Sequence, residues 1–170
     1  MSMTLQTQRL VLRQPVPSDW QPFHDFMMSD RSTMFGSHKN LGATWRAFAG
    51  ELGHWQIFDY GMWSVTKRGS DTALGFVGPW TPPDWPETEI GWMMFDPSLE
   101  GSGIASEAAR AAISHAWDVL GWTTVVSYIL PDNTRSIRLA EKLGAKLDTD
   151  ATGPTPKTLV YRHPRSGARP

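Results

Sequence analysis

Residues 105–120 place Ala105, Ala108, Ala109, Ala112, Ile113, Ala116 and Leu120 at i, i+3, i+4, i+7, i+8, i+11 and i+15, and this stripe opens directly from the turn Glu100-Gly101-Ser102-Gly103-Ile104. The spacing predicts an amphipathic helix closed by Gly121. Small residues just before a helix let successive backbone N–H groups and the helix N-terminus face an anion, so a pyrophosphate can be held without a basic side chain. The plainer reading is that two glycines only tighten the turn. A dinucleotide fingerprint fits poorly because its third glycine is missing, and a P-loop fits worse because no Lys-Ser/Thr pair follows.

The surrounding chain reads as alternating short strands and helices. Leu10 and Leu12 alternate with Arg9 and Arg13, the pattern of a half-covered strand. Ser18 and Asp19 are N-cap candidates for a helix carrying Trp20, Phe23, Phe26 and Met27, and Thr44 for one carrying Trp45, Phe48, Leu52 and Trp55. Residues 62–66 and 73–77 read as a hairpin, and the four prolines in 79–86 as a loop. Further strands are expected over residues 89–95, 123–129 and 158–162, with a helix over 136–143 ended by Gly144. Strand, helix, strand, helix implies one parallel pair with a right-handed crossover. The expected domain spans 1–162, with 163–170 too poor in apolar surface to order itself.

Composition removes several function classes. With no Cys, disulfide frameworks, Cys-ligated metals and cysteinyl intermediates are excluded, and a reducing cytoplasm is the expected setting. A net charge of −1 offers no footprint for nucleic acid or an anionic membrane surface. No basic-then-apolar leader and no apolar run of about 18 residues is present, so neither a signal peptide nor a membrane span is expected. The histidines at 24, 38, 54, 115 and 163 lack ligand spacing, and no metal is expected. His115, within the long helix, reads as a boundary residue.

Four segments in order carry a family resemblance: Thr7-x-Arg9-Leu10-x-Leu12-Arg13, Glu89-Ile90-Gly91-Trp92, Gly101-x-Gly103-x-Ala105-x-Glu107-Ala108, and Asn133-x-x-Ser136 followed by Glu141-Lys142-Leu143-Gly144-Ala145. Together they resemble the GNAT N-acetyltransferases, in the branch of the ribosomal-protein N-terminal (RimJ/RimL-type) enzymes. Glu100 departs from the family's turn, where Gln or Arg is common. The resemblance implies a single α/β (α+β) domain with a mixed, twisted sheet of about six to seven strands. Its fourth and fifth strands would splay to admit acetyl-CoA as co-substrate. It also implies that the pantetheine arm pairs with backbone after a bulge, at Met93, Met94 and Phe95. The pyrophosphate would then lie on Gly101, Ser102, Gly103, Ile104 and Ala105, with Asn133 ordering the site.

Acetylating an amine whose pKa is about 8–10 requires a base near the thioester. By match to the family, Glu89 is that base, with Asp84 and Glu87 close enough in sequence to substitute. A backbone N–H such as that of Met94 would hold the oxyanion. Ser136 is the candidate proton donor to the leaving thiolate, with Tyr128 as another option. Asn133 and Ser136 are equally at home as helix caps. Trp80 and Trp85 with Asp84 and Glu87 would form an acceptor wall suited to a cation, whereas Trp45 and Trp55 fit core packing. The acceptor is a protein N-terminus, a peptide or a small amine, and a homodimer is left open. The alternative readings are an idle acyl-CoA-binding module on this fold and a small nucleotide-dependent oxidoreductase.

Overall fold

The computed structural model describes residues 3–36 and 39–165. The helices are α1 (Trp20–Met28), α2 (Leu41–Phe58), α3 (Ile104–Asp118) and α4 (Thr134–Lys142). The strands are β1 (Leu5–Gln6), β2 (Leu10–Arg13), β3 (Trp63–Lys67), β4 (Gly75–Trp80), β5 (Glu89–Met94), β6 (Val126–Ile129), β7 (Lys146–Leu147) and β8 (Leu159–Arg162). They form one eight-stranded sheet in the order β1-β2-β3-β4-β5-β6-β8-β7. Every neighbouring pair is antiparallel except β5 and β6, which run parallel with α3 as the crossover between them. The sheet exceeds the expected six to seven strands through β1 and β7, two-residue strands too short to show a period in sequence.

Helices cover both faces, so the central strands are buried through and through rather than alternating. On one face Ala108, Ala109, Ala112 and Ala116 are fully buried and pack with Leu10, Leu12, Trp63, Val65, Val77 and Ile90. Alanine leaves no bulk between helix and sheet, so α3 lies close over β4 and β5 and its N-terminus is aimed by the sheet. The other face holds an aromatic cluster from α1, α2 and β4, with Phe23 stacked on Phe76 at 5.5 Å. Adjacent residues of β4 show the division: Phe76 belongs to the second cluster and Val77 to the first.

Several expectations are corrected. β4 continues through Pro79 and Trp80, which pair with Ile90 and Glu89. Its partner β3 has ended by Val77, so Pro79 occupies an edge position where a missing N–H is tolerated. Asn40, not Thr44, caps α2, its side chain accepting from the Ala43 N–H; Thr44 is buried inside the helix. The buried stripe of α2 is Thr44, Phe48, Glu51, His54 and Trp55, shifted from the expected one, which leaves Trp45 59% exposed. Asp19 precedes α1 without capping it; the carboxylate is buried and bound by both terminal nitrogens of Arg13 and by the Ser64 hydroxyl. His163 is buried, its backbone N–H donating to the Val125 carbonyl; residues 166–170 of the expected tail lie outside the described residues, as does His38. His115 is buried too, edge-on to Trp63. No helix among the described residues is long and apolar enough to cross a membrane.

Candidate active site

β5 and β6 share a single register pair, Glu89 with Val126, and then separate. The β4–β5 ladder keeps unbroken register from Trp80–Glu89 to Gly75–Met94, so the opening comes from lost β5–β6 pairing, without the expected bulge against β4. Alternation decides which backbone groups face the gap. The Thr88 carbonyl accepts from the Val126 N–H and the Ile90 carbonyl from the Ser127 hydroxyl, whereas the Phe95 N–H turns back to the Leu74 carbonyl. Even-numbered residues therefore aim their backbone groups at the wedge, which assigns it Trp92 and Met94. The Met93 side chain packs with the aromatic cluster on the α1–α2 face, and Phe95 packs its ring on Phe23, Phe26 and Phe76.

The wedge leads into a cleft of about 630 Å³ lined by Met93, Met94, Gly101, Gly103, Ala105 and Ser136 among others. At its mouth the chain passes through Gly101 (φ +75°) and Gly103 (φ +79°), conformations that L side chains resist, and α3 begins at Ile104. The first-turn N–H groups of α3 have no carbonyl partner inside the helix and face this region with the positive end of its dipole. The turn is braced from behind. Glu107 accepts from the Thr7 hydroxyl and from the backbone and side chain of Arg9, while Arg9 also donates to the Ser102 carbonyl at 3.0 Å. The Thr7-x-Arg9 segment thus serves the turn rather than the chemistry.

Glu89 opens β5, 7% exposed, its carboxylate accepting from the Trp85 indole N–H and, at 3.3 Å, from the Tyr128 backbone N–H. Burial pushes this carboxyl up to about 7 despite both donors. Such a group is a competent base near neutral pH. Glu87 differs: Arg162 binds both its oxygens, Thr124 adds a third bond, and the Arg162 contact holds it below the usual carboxylate range. Asp84 is exposed on the loop. Trp80 stacks on His54 at 4.8 Å, and Trp85 meets Tyr128 edge-on at 6.2 Å. Through its indole N–H, Trp85 also holds the Glu89 carboxylate in its orientation.

Asn133 caps α4, its side-chain oxygen accepting from the Ser136 N–H. The buried Ser136 hydroxyl oxygen accepts from the Trp92 indole at 3.1 Å, so its own proton is not used in that bond. Ser136 lines the cleft. The Tyr128 oxygen instead accepts from the Glu87 N–H, and Tyr128 is not among the lining residues.

Two groups escaped the sequence reading. Arg31, Arg135, Arg138 and Lys142 line the cleft, and Arg31 and Arg135 both bind Glu100. Arg31 also donates to the Met94 carbonyl at 3.2 Å. The second is Glu51, buried on α2. A carboxylate seven residues after Thr44 on the buried stripe was the available signal.

Residues 9–146 match the sequence profile of the acetyltransferase (GNAT) domain. An acetyltransferase of known structure from Agrobacterium tumefaciens str. C58 is 37% identical and superposes with a TM-score of 0.90 over 96% of this chain and 95% of that one. An L-2,4-diaminobutyric acid acetyltransferase of Streptomyces coelicolor is 29% identical over 112 residues, 58% of this chain and 66% of that protein, just under two thirds of its length. RimL, a ribosomal L7/L12 alpha-N-protein acetyltransferase, shares the fold at 17% identity and a TM-score of 0.72, over 96% of this chain and 94% of that one.

Proposed function

Because the chain belongs to the GNAT acetyltransferase family, we propose that it transfers an acetyl group from acetyl-CoA directly to the primary amine of a protein N-terminus, a peptide or a small molecule. The observation that carries this is the wedge between β5 and β6, with a buried carboxyl at its closed end and a glycine turn at its mouth. The cleft fits the co-substrate: the turn and first N–H groups of α3 suit a pyrophosphate, Arg135, Arg138 and Lys142 supply cations, and Trp92 and Met94 offer backbone groups to an amide-bearing arm. When bound, acetyl-CoA supplies an acyl carbon attached to a thiol leaving group.

The protein's part is proton handling and charge placement. An ammonium sheds two protons in becoming an amide, one to the Glu89 carboxylate and one to the departing sulfur. Ser136, whose hydroxyl proton is not used in its bond from Trp92, gives that proton at Oγ to the sulfur and recovers the amine's. The Met94 N–H, on the open side of β5, is the candidate donor to the developing oxyanion. Trp80 and Trp85 form the aromatic wall on the acceptor side, with exposed Asp84 at the loop and Glu87 fixing the loop through Arg162. The diamino acid in the name of the Streptomyces relative agrees with a cationic acceptor.

The test is an acceptor screen that follows free CoA thiol, with negligible background because the chain has no Cys. Amine-dependent thiol release is the expected result. Acetyl-CoA raising the melting temperature while no amine in a broad panel releases thiol would establish an idle binding module instead. For the cradle, Gly103→Val is expected to weaken acetyl-CoA at least about tenfold, because its Cβ would project beside Arg9 and Ser106 at a positive φ that a β-branched residue resists. Calorimetric titration checks this, and unchanged affinity in a folded variant would remove the phosphate from this turn.

A further inference from the structure

The Trp80–Glu89 register pair puts both side chains on one face of the sheet, and the packing of Phe76 and Met93 with the aromatic cluster identifies it as the α1–α2 face. α2 crosses there: a Cβ on Gly50 would lie 3.9 Å from the Trp80 ring, and His54 stacks on that ring. Glu51 lies between Gly50 and His54 on the buried stripe of α2, 6% exposed, with its Oε2 buried and without a hydrogen-bond partner. None of the ion pairs among the described residues involves Glu51 or Glu89. Two buried carboxyls thus lie on the α1–α2 face of the sheet that also holds Trp80, and no cation among the described residues is paired to either.

We propose that Glu51 is a positioning residue for Glu89, a second buried carboxyl on the same face that keeps its proton while Glu89 is ionised and so sets the protonation state in which the base works. This rests on the assignment of Glu89 as base. A lone buried carboxylate is costly, and two ionised together are costlier. Keeping the proton on Glu51 leaves one negative charge on the two groups, which matches the single positive charge of an arriving ammonium. When Glu89 takes the ammonium proton, both carboxyls are protonated and no charge is stranded under the wall. The other titratable groups nearby do not supply that balance. His54 has its ring nitrogens bonded to the Tyr60 carbonyl and the Thr81 N–H, Tyr128 offers Glu89 only its backbone, and Glu87 and Arg162 are paired with each other. The Glu51 carboxyl is pushed up to about 8, by burial first and by the Glu89 charge second.

The test is a carbon-13 NMR titration of the full chain labelled at glutamate Cδ, with no acceptor present. In the wild type the Glu51 and Glu89 signals should each titrate in two linked steps across about pH 6–9. In Glu51→Gln the Glu89 signal should collapse to a single step, its midpoint lower by on the order of one pH unit. Glu89→Gln should do the same to Glu51, and Glu51→Asp should restore the linked behaviour. A purely structural Glu51 would leave the Glu89 curve in place. Independent one-step curves in the wild type, or an unmoved midpoint in either folded variant, would overturn the pair. The base assignment stands or falls separately, on thiol release by Glu89→Gln.

Discussion

Glu89→Gln is expected to lower kcat/KM for amine acetylation by about 10²–10³-fold, within the usual contribution of a positioned general base. The substitution keeps the shape but removes the proton acceptor. It also disturbs the local bonding in a foreseeable way. Glu89 receives two donors, the Trp85 indole and the Tyr128 N–H, while a glutamine has one carbonyl oxygen and one NH₂ group. One donor must then face another, and an unmet buried donor costs about 1–3 kcal/mol. Thermal unfolding should therefore accompany the kinetics, to separate lost chemistry from lost fold. Acetyl-CoA affinity should be unchanged, since Glu89 is not among the residues lining the cleft. In the wild type, kcat/KM should fall as pH drops below about 7, the value to which burial lifts this carboxyl. Thiol release at wild-type rate from the folded variant would mean that another group, or water, takes the proton.

Asp19→Ala is expected to cost about 3–5 kcal/mol of stability, the range for removing one partner of a buried ion pair. Asp19 is 1% exposed. It accepts from both terminal nitrogens of Arg13 at 2.8 Å, from the Ser64 hydroxyl at 2.6 Å and from the Val16 N–H at 3.0 Å. Truncation strands all of those donors and uncouples the start of α1 from β2 and β3, loosening the helical layer that carries Glu51. At about 2–4 °C per kcal/mol for a chain of this size, the melting temperature should drop by roughly 10 °C. Burial alone would raise the Asp19 carboxyl, but the bonds from Arg13, Ser64 and Val16 together hold it below its ordinary value. Its folded value being the lower, its contribution is complete above the unfolded value near 3.8 and is lost as pH falls through the folded one. The wild-type advantage over Asp19→Ala should thus shrink in acid. A loss under about 1 kcal/mol at pH 7, measured by urea titration, would show the cluster to be peripheral.

The elements legible in advance are those whose cause is local. The alanine stripe of α3 and Asn133 at the start of α4 follow from helical spacing and capping, which need no distant partner. The misread elements depend on what lies opposite. Pro79 looked incompatible with a strand and is one, because β3 stops short of it. Asp19 looked like a cap and is instead the buried anchor of Arg13. The α2 tryptophans at helical spacing suggest one stripe, but tertiary contact buries Thr44 and Glu51 and leaves Trp45 outside. Arg31 and Arg135 reach Glu100 from segments far apart in the chain, which no spacing rule reports.

Sequence by itself therefore determined the parallel pair with its helical crossover and the glycine turn, and its family resemblance singled out Glu89 as the candidate base, since period, turn chemistry and motif order are properties of short stretches. Tertiary structure alone decided that β5 and β6 part after one pair, that Trp92 and Met94 present their backbone to the gap, and that Glu51 lies buried on the Glu89 face. These depend on register and layer packing, where a shift of one residue turns a side chain from one face of the sheet to the other.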